Sequence, residues 1–121
     1  MDETKTKDAE NRQIARLGTL SWAHFVNDGC INYLPGILPL LLDRLSVPLA
    51  LSGSLILALQ GLGSLLQPVA GWFADRRGGR AFVVGGLALS VLGGSVLGLA
   101  PSYGILIAIL VVAGLGNAAF H

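Results

Sequence analysis

The sequence predicts an all-α integral membrane protein, a fold class indicated by its composition, its long apolar runs and its sparse charge. Of 121 residues, 53% are hydrophobic, only 12% are charged and 17 are glycine. This chain is too apolar for a water-soluble domain of its size. Beyond residue 16, the one concentrated charge cluster is the segment 71–80, which lies between two apolar runs. That placement predicts a short loop at one face of a membrane.

Apolar segments of the length that a membrane helix requires recur along the chain. About 20 helical residues cross a hydrocarbon layer of roughly 30 Å. Four segments approach or exceed that length, and we predict them as transmembrane spans one to four: 17–42, 49–74, 81–100 and 104–121. The fourth span reaches the last residue a little short of a comfortable crossing, so we expect it to be truncated there.

Lysine and arginine alternate between the predicted connections. The tail 1–16 has four of them, the connection after the first span has Arg44, the 75–80 connection has three, and the last connection has none. Because basic residues are enriched on the cytoplasmic side, we predict a cytoplasmic tail and a cytoplasmic 75–80 loop in a multi-pass protein of the inner (plasma) membrane. The tail mixes acidic and basic residues, which favours a solvated segment, disordered or helical, over a cleaved signal peptide.

Polar residues of the first span repeat at helical spacing. His24, Asp28 and Asn32 recur every four residues and so share one helical stripe, with Asn27 beside them. An ionised carboxylate inside a bilayer costs about 2.5 to 3.5 kcal/mol, so Asp28 should face protein or a wet cavity. An aspartate withdrawn from water can exchange protons near neutral pH, with His24 as relay or ion-pair partner. The stripe is a candidate proton or substrate site, and interhelical hydrogen bonding is the alternative.

Further polar residues lie in the second and fourth spans. Gln60 and Gln67 are seven residues apart on one face of the second span. Asn117 and His121 are one turn apart near the cytoplasmic end of the fourth span. Each pair is a candidate for the same pathway as Asp28, and helix packing is the alternative for each.

Other residues predict the shape and packing of the helices. Pro35 and Pro39 each remove a backbone donor and are expected to bend the first span. The third span has small residues at every fourth position: Gly86, Ser90, Gly94 and Gly98. This ridge predicts close backbone approach rather than chemistry, and Gly114 and Gly116 predict the same for the fourth span.

The sequence indicates neither an enzyme nor a resident cofactor or metal. It has no nucleophile constellation, phosphate-binding glycine loop or spaced metal-ligand cluster. Its single cysteine, Cys30, excludes an intrachain disulfide. The net charge of +1 gives no argument for nucleic acid. We expect the partners to be the lipid bilayer, a small-molecule substrate and protons.

Asp75 indicates that the segment 71–80 does more than set the membrane topology. A helix C-terminus favours cations such as Arg76 and disfavours an acid, so Asp75 requires an arginine or the amides of another helix N-terminus as partner. Gly78 and Gly79 permit the tight reversal between two antiparallel helices.

Six residues of this segment form a recognisable pattern: Gly71, Ala74, Asp75, Arg76, Gly78 and Arg80. The pattern resembles G-x-L-A-D-R-x-G-R-K, the motif between the second and third helices of the major facilitator superfamily. Phe73 replaces the leucine, and Gly79 replaces the first basic residue of the final pair. The resemblance implies the first four helices of a twelve-helix bundle, and it implies that the matching loop residues control conformational change.

The spans resemble one group of that superfamily more closely. The similar residues are His24, Asn27 and Asp28, the run 64–71, and Gly114, Gly116, Phe120 and His121. They resemble the fosmidomycin-resistance family, and the similarity covers nearly all of residues 19–121.

This second resemblance implies an antiporter that confers antibiotic resistance. Such a protein exports drugs or phosphonate-like anions in exchange for protons, by rocking of two six-helix bundles around a central cavity. The resemblance also implies that Asp75 docks against a helix N-terminus in the second half. The C-terminal helices that these 121 residues lack are therefore an expected partner.

Two other interpretations stay open. Four helices in 121 residues also describe small multidrug transporters that act as dimers, with Asp28 as the essential acid of the first helix. The chain could otherwise be a fragment without transport activity that serves as an interaction segment.

Overall fold

In the computed structural model, which describes residues 3–121, the first span continues from a helical tail. Helix α1 (Glu3–Asn32) includes residues 3–16 of the predicted tail and runs on into apolar sequence without a break. The side chains of residues 4–16 are exposed. Residues 1 and 2 of the predicted tail lie outside the described residues. The tail is thus a helical extension of the first span.

The first span consists of two helices. Helix α1 ends at Asn32, and α2 (Leu34–Arg44) begins after Tyr33 with Pro35 in its first turn and Pro39 in its interior. Proline suits a first turn because the N–H that it lacks would have no intrahelical acceptor there. Pro35 therefore starts a new helix, which differs from the expected bend in one continuous helix.

The second span is a helical stretch of several geometries. A 3₁₀ turn (Leu49–Leu51) leads into α3 (Ser52–Ile56), a π-helical segment (Leu57–Gly61) and α4 (Leu62–Arg77). Single π turns inside α-helices are uncommon and often lie at functional or packing sites. The apolar pattern of the sequence did not predict this one.

A single residue separates α4 from the next helix. Helix α5 (Gly79–Ser95) starts two residues after α4 ends. Gly78 between them has φ of 89°, in the left-handed region that glycine enters without a steric penalty. Asp75 and Arg76 therefore lie in the last turn of α4, so the helix extends into the segment that we predicted as a loop.

The last helix, α6 (Tyr103–Phe120), begins after a 3₁₀ turn (Leu97–Leu99) and a short connection. Ser102 precedes α6, and its hydroxyl accepts a hydrogen bond from the backbone nitrogen of Ile105 at 3.4 Å. A serine in this position satisfies one of the amides that a helix start leaves without an intrahelical acceptor.

Three helical stretches are long and apolar enough to cross a membrane: Thr4–Arg44, Leu49–Arg76 and Tyr103–Phe120. They correspond to the first, second and fourth predicted spans. Helix α5 is apolar but has 17 residues, the lower limit of the usual length of a spanning helix. A crossing by α5 stays a prediction.

Apolar side chains of the first and second spans, of α6 and of the connection before α6 form one buried core. It contains Ile31, Leu34, Leu38, Leu41, Leu42, Leu55, Ala58, Leu59, Leu97, Ala100, Leu106, Leu110 and Ala113. Large apolar side chains also lie exposed on the outer faces, among them Trp22, Phe25, Leu40 and Leu65. Such outer faces are typical of helices whose surroundings are lipid or further helices rather than water.

Close backbone contacts centre on α6. A β-carbon at Gly116 would lie 2.6 Å from the Ser90 nitrogen and 2.7 Å from the Gly86 oxygen of α5. A β-carbon at Gly114 would overlap the carbonyl oxygen of Leu59 in the π-helical segment. Only glycine permits these approaches, so the predicted packing role of both α6 glycines is confirmed.

The predicted small-residue ridge is confirmed at three of its four positions. Gly86, Ser90 and Gly94 are buried. The first two face α6, whereas a β-carbon at Gly94 would lie 3.1 Å from the carbonyl oxygen of Cys30 in α1. Gly98 lies beyond the end of α5, is exposed and has open space around it. The ridge therefore joins α5 to two different helices.

Arg44, at the end of α2, joins the first span to the end of the third. Its Nη1 donates to the carbonyl oxygen of Gly98 and its Nη2 donates to that of Ala100 at 3.3 Å. These carbonyls lie at the end of the 3₁₀ turn, where the last carbonyl groups of a helix have no intrahelical N–H to accept from. The guanidinium fork fits two neighbouring acceptors, so Arg44 has a structural role that its position in the sequence did not indicate.

We expect Arg44→Met to lower the free energy of unfolding by about 1 to 2 kcal/mol, because two charge-assisted hydrogen bonds are lost at a partly solvated site. Loss of helical circular dichroism during denaturant titration in lipid nanodiscs measures this change. Arg16→Met, at an exposed arginine of α1, is the matched control. Equal free energies of unfolding for the two variants would contradict the role of Arg44.

Candidate functional site

A partly buried pair of side-chain amides holds α1 against α6. The side chain of Asn27 is completely buried, and its Nδ2 donates to Oδ1 of Asn117 at 2.7 Å. The same nitrogen lies 3.5 Å from Nε2 of His121. An amide without such partners would be costly inside an apolar bundle. The pair therefore fixes the register in which the two helices meet.

Three titratable side chains meet beside this amide pair. Nε2 of His24 lies 3.3 Å from Oδ2 of Asp28, and Nε2 of His121 lies 3.7 Å from Oδ1 of the same carboxylate. The rings of His24 and His121 are in edge-to-face contact, with centroids 4.7 Å apart. We call His24, Asp28 and His121 the His–Asp–His cluster. It brings together the stripe of the first span and the end of the fourth.

The cluster is open on one side. The side chains of His24, Asp28 and His121 are 51%, 46% and 29% exposed. The carboxylate is therefore partly covered by protein and partly accessible, and its place in a pathway stays a prediction. Each imidazole has one nitrogen that can donate a hydrogen bond to the carboxylate.

Other predicted site residues take different positions. The amide of Asn32 donates to the backbone oxygen of Asp28 at 3.0 Å, so it supports the helix and does not reach the carboxylate. Gln60 lies in the π-helical segment and Gln67 in α4, and both side chains are exposed. Among residues 3–121, no hydrogen bond or ion pair joins either glutamine to the cluster, so their shared pathway stays a prediction.

In the segment 71–80, which we call the motif segment, Arg76 has a partner that the sequence did not suggest. Its guanidinium carbon lies 3.8 Å from the centre of the Trp72 ring, a cation–π contact. Asp75 is exposed, and no ion pair reaches it among the described side chains. Arg80 lies in the first turn of α5, where a helix favours acids over bases. The arrangement leaves the Asp75 carboxylate open toward solvent or another part of the protein.

The sequence indicated no metal-ligand cluster, whereas the structure places three potential ligand atoms of the His–Asp–His cluster within 4.8 Å of one another. Spacing along α1 predicted that His24 and Asp28 share a face. Nothing in local spacing showed that His121, more than 90 residues away, would join them. An intramembrane histidine close to the glycines of a tightly packed helix is the signal that could have indicated this contact.

Comparison with known proteins agrees with the helical architecture. A family model for the Major Facilitator Superfamily matches residues 20–121. The chain is 33% identical over 98 residues to the uncharacterized MFS-type transporter YfnC of Bacillus subtilis strain 168, and this match covers 81% of the chain and 24% of that protein.

A second relative carries a name that describes a phenotype. The chain is 31% identical over 105 residues to the fosmidomycin resistance protein of Escherichia coli strain K12, over 87% of the chain and 26% of that protein. The chain thus spans about a quarter of the length of both relatives, and no solved structure matches it significantly. With the family model matched over residues 20–121, these helices belong to a membrane protein of the major facilitator superfamily.

Proposed function

We propose that this chain forms the first four membrane spans of a proton-coupled transporter that exports a drug or a small phosphonate-like anion. The His–Asp–His cluster carries the proposal, because it places a carboxylate and two imidazoles at the contact between α1 and α6. Acids and histidines within membrane helices mark ion or substrate pathways. Similarity to a fosmidomycin resistance protein supports a small phosphonate-like drug as the exported molecule.

The cluster couples protonation to helix contact through charge. When Asp28 is ionised it attracts a protonated His24 or His121. The pair of His121 and Asp28 joins the end of α6 to α1 in addition to the bond between Asn27 and Asn117. A proton on the carboxylate removes this attraction, so α6 is held less firmly. A change of a few kcal/mol in such a contact is enough to shift a two-state equilibrium between inward-facing and outward-facing forms.

The motif segment supports the proposed rocking of two helix bundles. The alternation of basic residues favours a cytoplasmic position for the tail and for the end of α4. There the open carboxylate of Asp75 can accept hydrogen bonds from backbone amides at a helix N-terminus of the second half. The guanidinium of the adjacent Arg76 lies over the Trp72 ring.

We expect Asp75→Asn to slow transport several-fold while substrate binding is retained, because a neutral amide docks more weakly at a helix N-terminus. Initial rates in proteoliposomes and ligand binding to the same preparation measure the two properties separately. Asp43→Asn, at another exposed aspartate, is the matched control. Transport at the control rate would contradict docking by Asp75.

Transport is tested with fosmidomycin in inverted vesicles that hold the protein and a pH gradient. Accumulation that collapses on addition of a protonophore supports proton-coupled export, whereas accumulation insensitive to the gradient contradicts it. The reading frame beyond codon 121 tests the architecture. Eight further spans support a twelve-helix transporter, and a stop codon favours a small dimeric transporter or a segment without transport activity.

A further inference from the structure

We propose that His24, Asp28 and His121 form a binding site for a divalent transition metal ion such as Zn²⁺. The chain contains two histidines, and both lie in this cluster with one carboxylate between them. Their potential ligand atoms lie within 4.8 Å of one another. The proposal does not rest on transport, since an inactive chain with the same helix contact would bind the ion as well.

The distances within the cluster are close to those of a tetrahedral site. Zinc bonds of about 2.0 to 2.2 Å place neighbouring ligand atoms about 3.4 Å apart in tetrahedral geometry. The carboxylate of Asp28 lies 3.3 Å from Nε2 of His24 and 3.7 Å from Nε2 of His121. The third pair, the ligand nitrogens of the two imidazoles, lies within 4.8 Å, so binding requires these side chains to rotate toward each other.

The helices supply the ligands in a favourable arrangement. His24 and Asp28 are four residues apart on α1, the spacing by which two ligands on one helical face hold zinc in other proteins. The third ligand, His121, follows the end of α6, which the hydrogen bond between Asn27 and Asn117 holds against α1. Two imidazoles and one carboxylate suit Zn²⁺ or Co²⁺, whereas Mg²⁺ and Ca²⁺ prefer oxygen ligands alone.

The surroundings leave room for a fourth ligand and offer it a hydrogen-bond acceptor. Each side chain of the cluster is partly exposed, so water can complete the coordination. The amide of Asn27 lies beside His121, and its Oδ1 is buried and accepts no hydrogen bond among the described residues. A metal-bound water would give this oxygen a donor while Nδ2 keeps its bond to Asn117.

Cobalt titration of the chain in lipid nanodiscs, without a polyhistidine tag, tests the site. We expect one equivalent of Co²⁺ to give the intense visible absorption of a four-coordinate ion, and one equivalent of Zn²⁺ to remove it. Asp28→Asn and His121→Ala should each weaken binding about tenfold or more, because one of three protein ligands is lost. Both variants are to be compared at equal helical circular dichroism.

Asp43→Asn is the control, because it removes a carboxylate outside the cluster and should leave the titration unchanged. Absence of saturable absorption would overturn the proposal. So would a titration that is unchanged in both cluster variants, since the metal would then be bound outside the cluster. These measurements record binding alone, so failure of transport in vesicles would not be mistaken for failure of the metal site.

Discussion

Asp28→Asn is expected to abolish transport driven by a pH gradient while the chain still inserts and folds. The amide has the size of the carboxylate, and the bond between Asn27 and Asn117 still joins α1 to α6, so the fold is preserved although the charge at position 28 is lost. It cannot exchange a proton in the accessible pH range. Insertion should not suffer, because a neutral side chain is less costly than an ionised one in the bilayer.

Gradient-driven accumulation in inverted vesicles measures the effect of Asp28→Asn, with protein content and helical circular dichroism determined on the same preparation. We expect accumulation to fall to the level of vesicles without the protein. The control is Asp43→Asn, which makes the same chemical change at the end of α2 and should retain normal accumulation. Proton-coupled accumulation at the normal rate in Asp28→Asn would show that the coupled proton binds elsewhere.

Gly86→Ala is expected to separate α5 from α6 and to displace His121. A β-carbon at Gly86 would lie 2.6 Å from both the Gly116 oxygen and the Phe120 nitrogen, and backbone atoms cannot rotate away as side chains do. Overpacking of this kind costs about 1 to 3 kcal/mol. Because Phe120 directly precedes His121, relief of the overlap moves that histidine away from Asp28. The same substitution should therefore lower the stability of the bundle and disrupt the His–Asp–His cluster.

Gly85→Ala is the matched control, because it changes the adjacent residue of the same helix and has no atom within 4 Å of the new β-carbon. Both substitutions carry the same intrinsic gain in helix preference, about 1 kcal/mol. The difference between their unfolding free energies in nanodiscs therefore isolates the contact with α6. We expect Gly86→Ala to be less stable than Gly85→Ala, and equal stability would refute the importance of this backbone approach.

Local spacing was a good guide where a single helix carries the information. The polar stripe correctly placed His24 and Asp28 on one face, and the glycines of α5 and α6 were correctly expected to permit close approach. The spacing did not show, however, which polar residues bond their own helix and which bond another helix. Asn32 bonds its own helix, whereas Asn27, predicted as a candidate for the same pathway, is the fully buried residue that bonds another helix.

Features of the backbone between predicted spans were harder to predict. The break at Tyr33 and the π-helical segment depend on how hydrogen bonds are shared within a turn, which hydropathy does not report. The tight reversal at Gly78, by contrast, was indicated by its two glycines. The contact of Arg44 with the carbonyls of Gly98 and Ala100 joins residues more than 50 positions apart. A pattern confined to one segment cannot indicate a partner so far away in the sequence.

Hydropathy, helical spacing and the motif of residues 71–80 were sufficient to predict the helical membrane fold and the superfamily, because each depends on composition or on neighbours within a few turns. The position of His121 beside Asp28 followed only from packing, since the glycines of α6 permit α5 and the second span to approach and so set where its end meets α1. Which polar residues form a site, and which merely support a helix, is decided by those interhelical contacts.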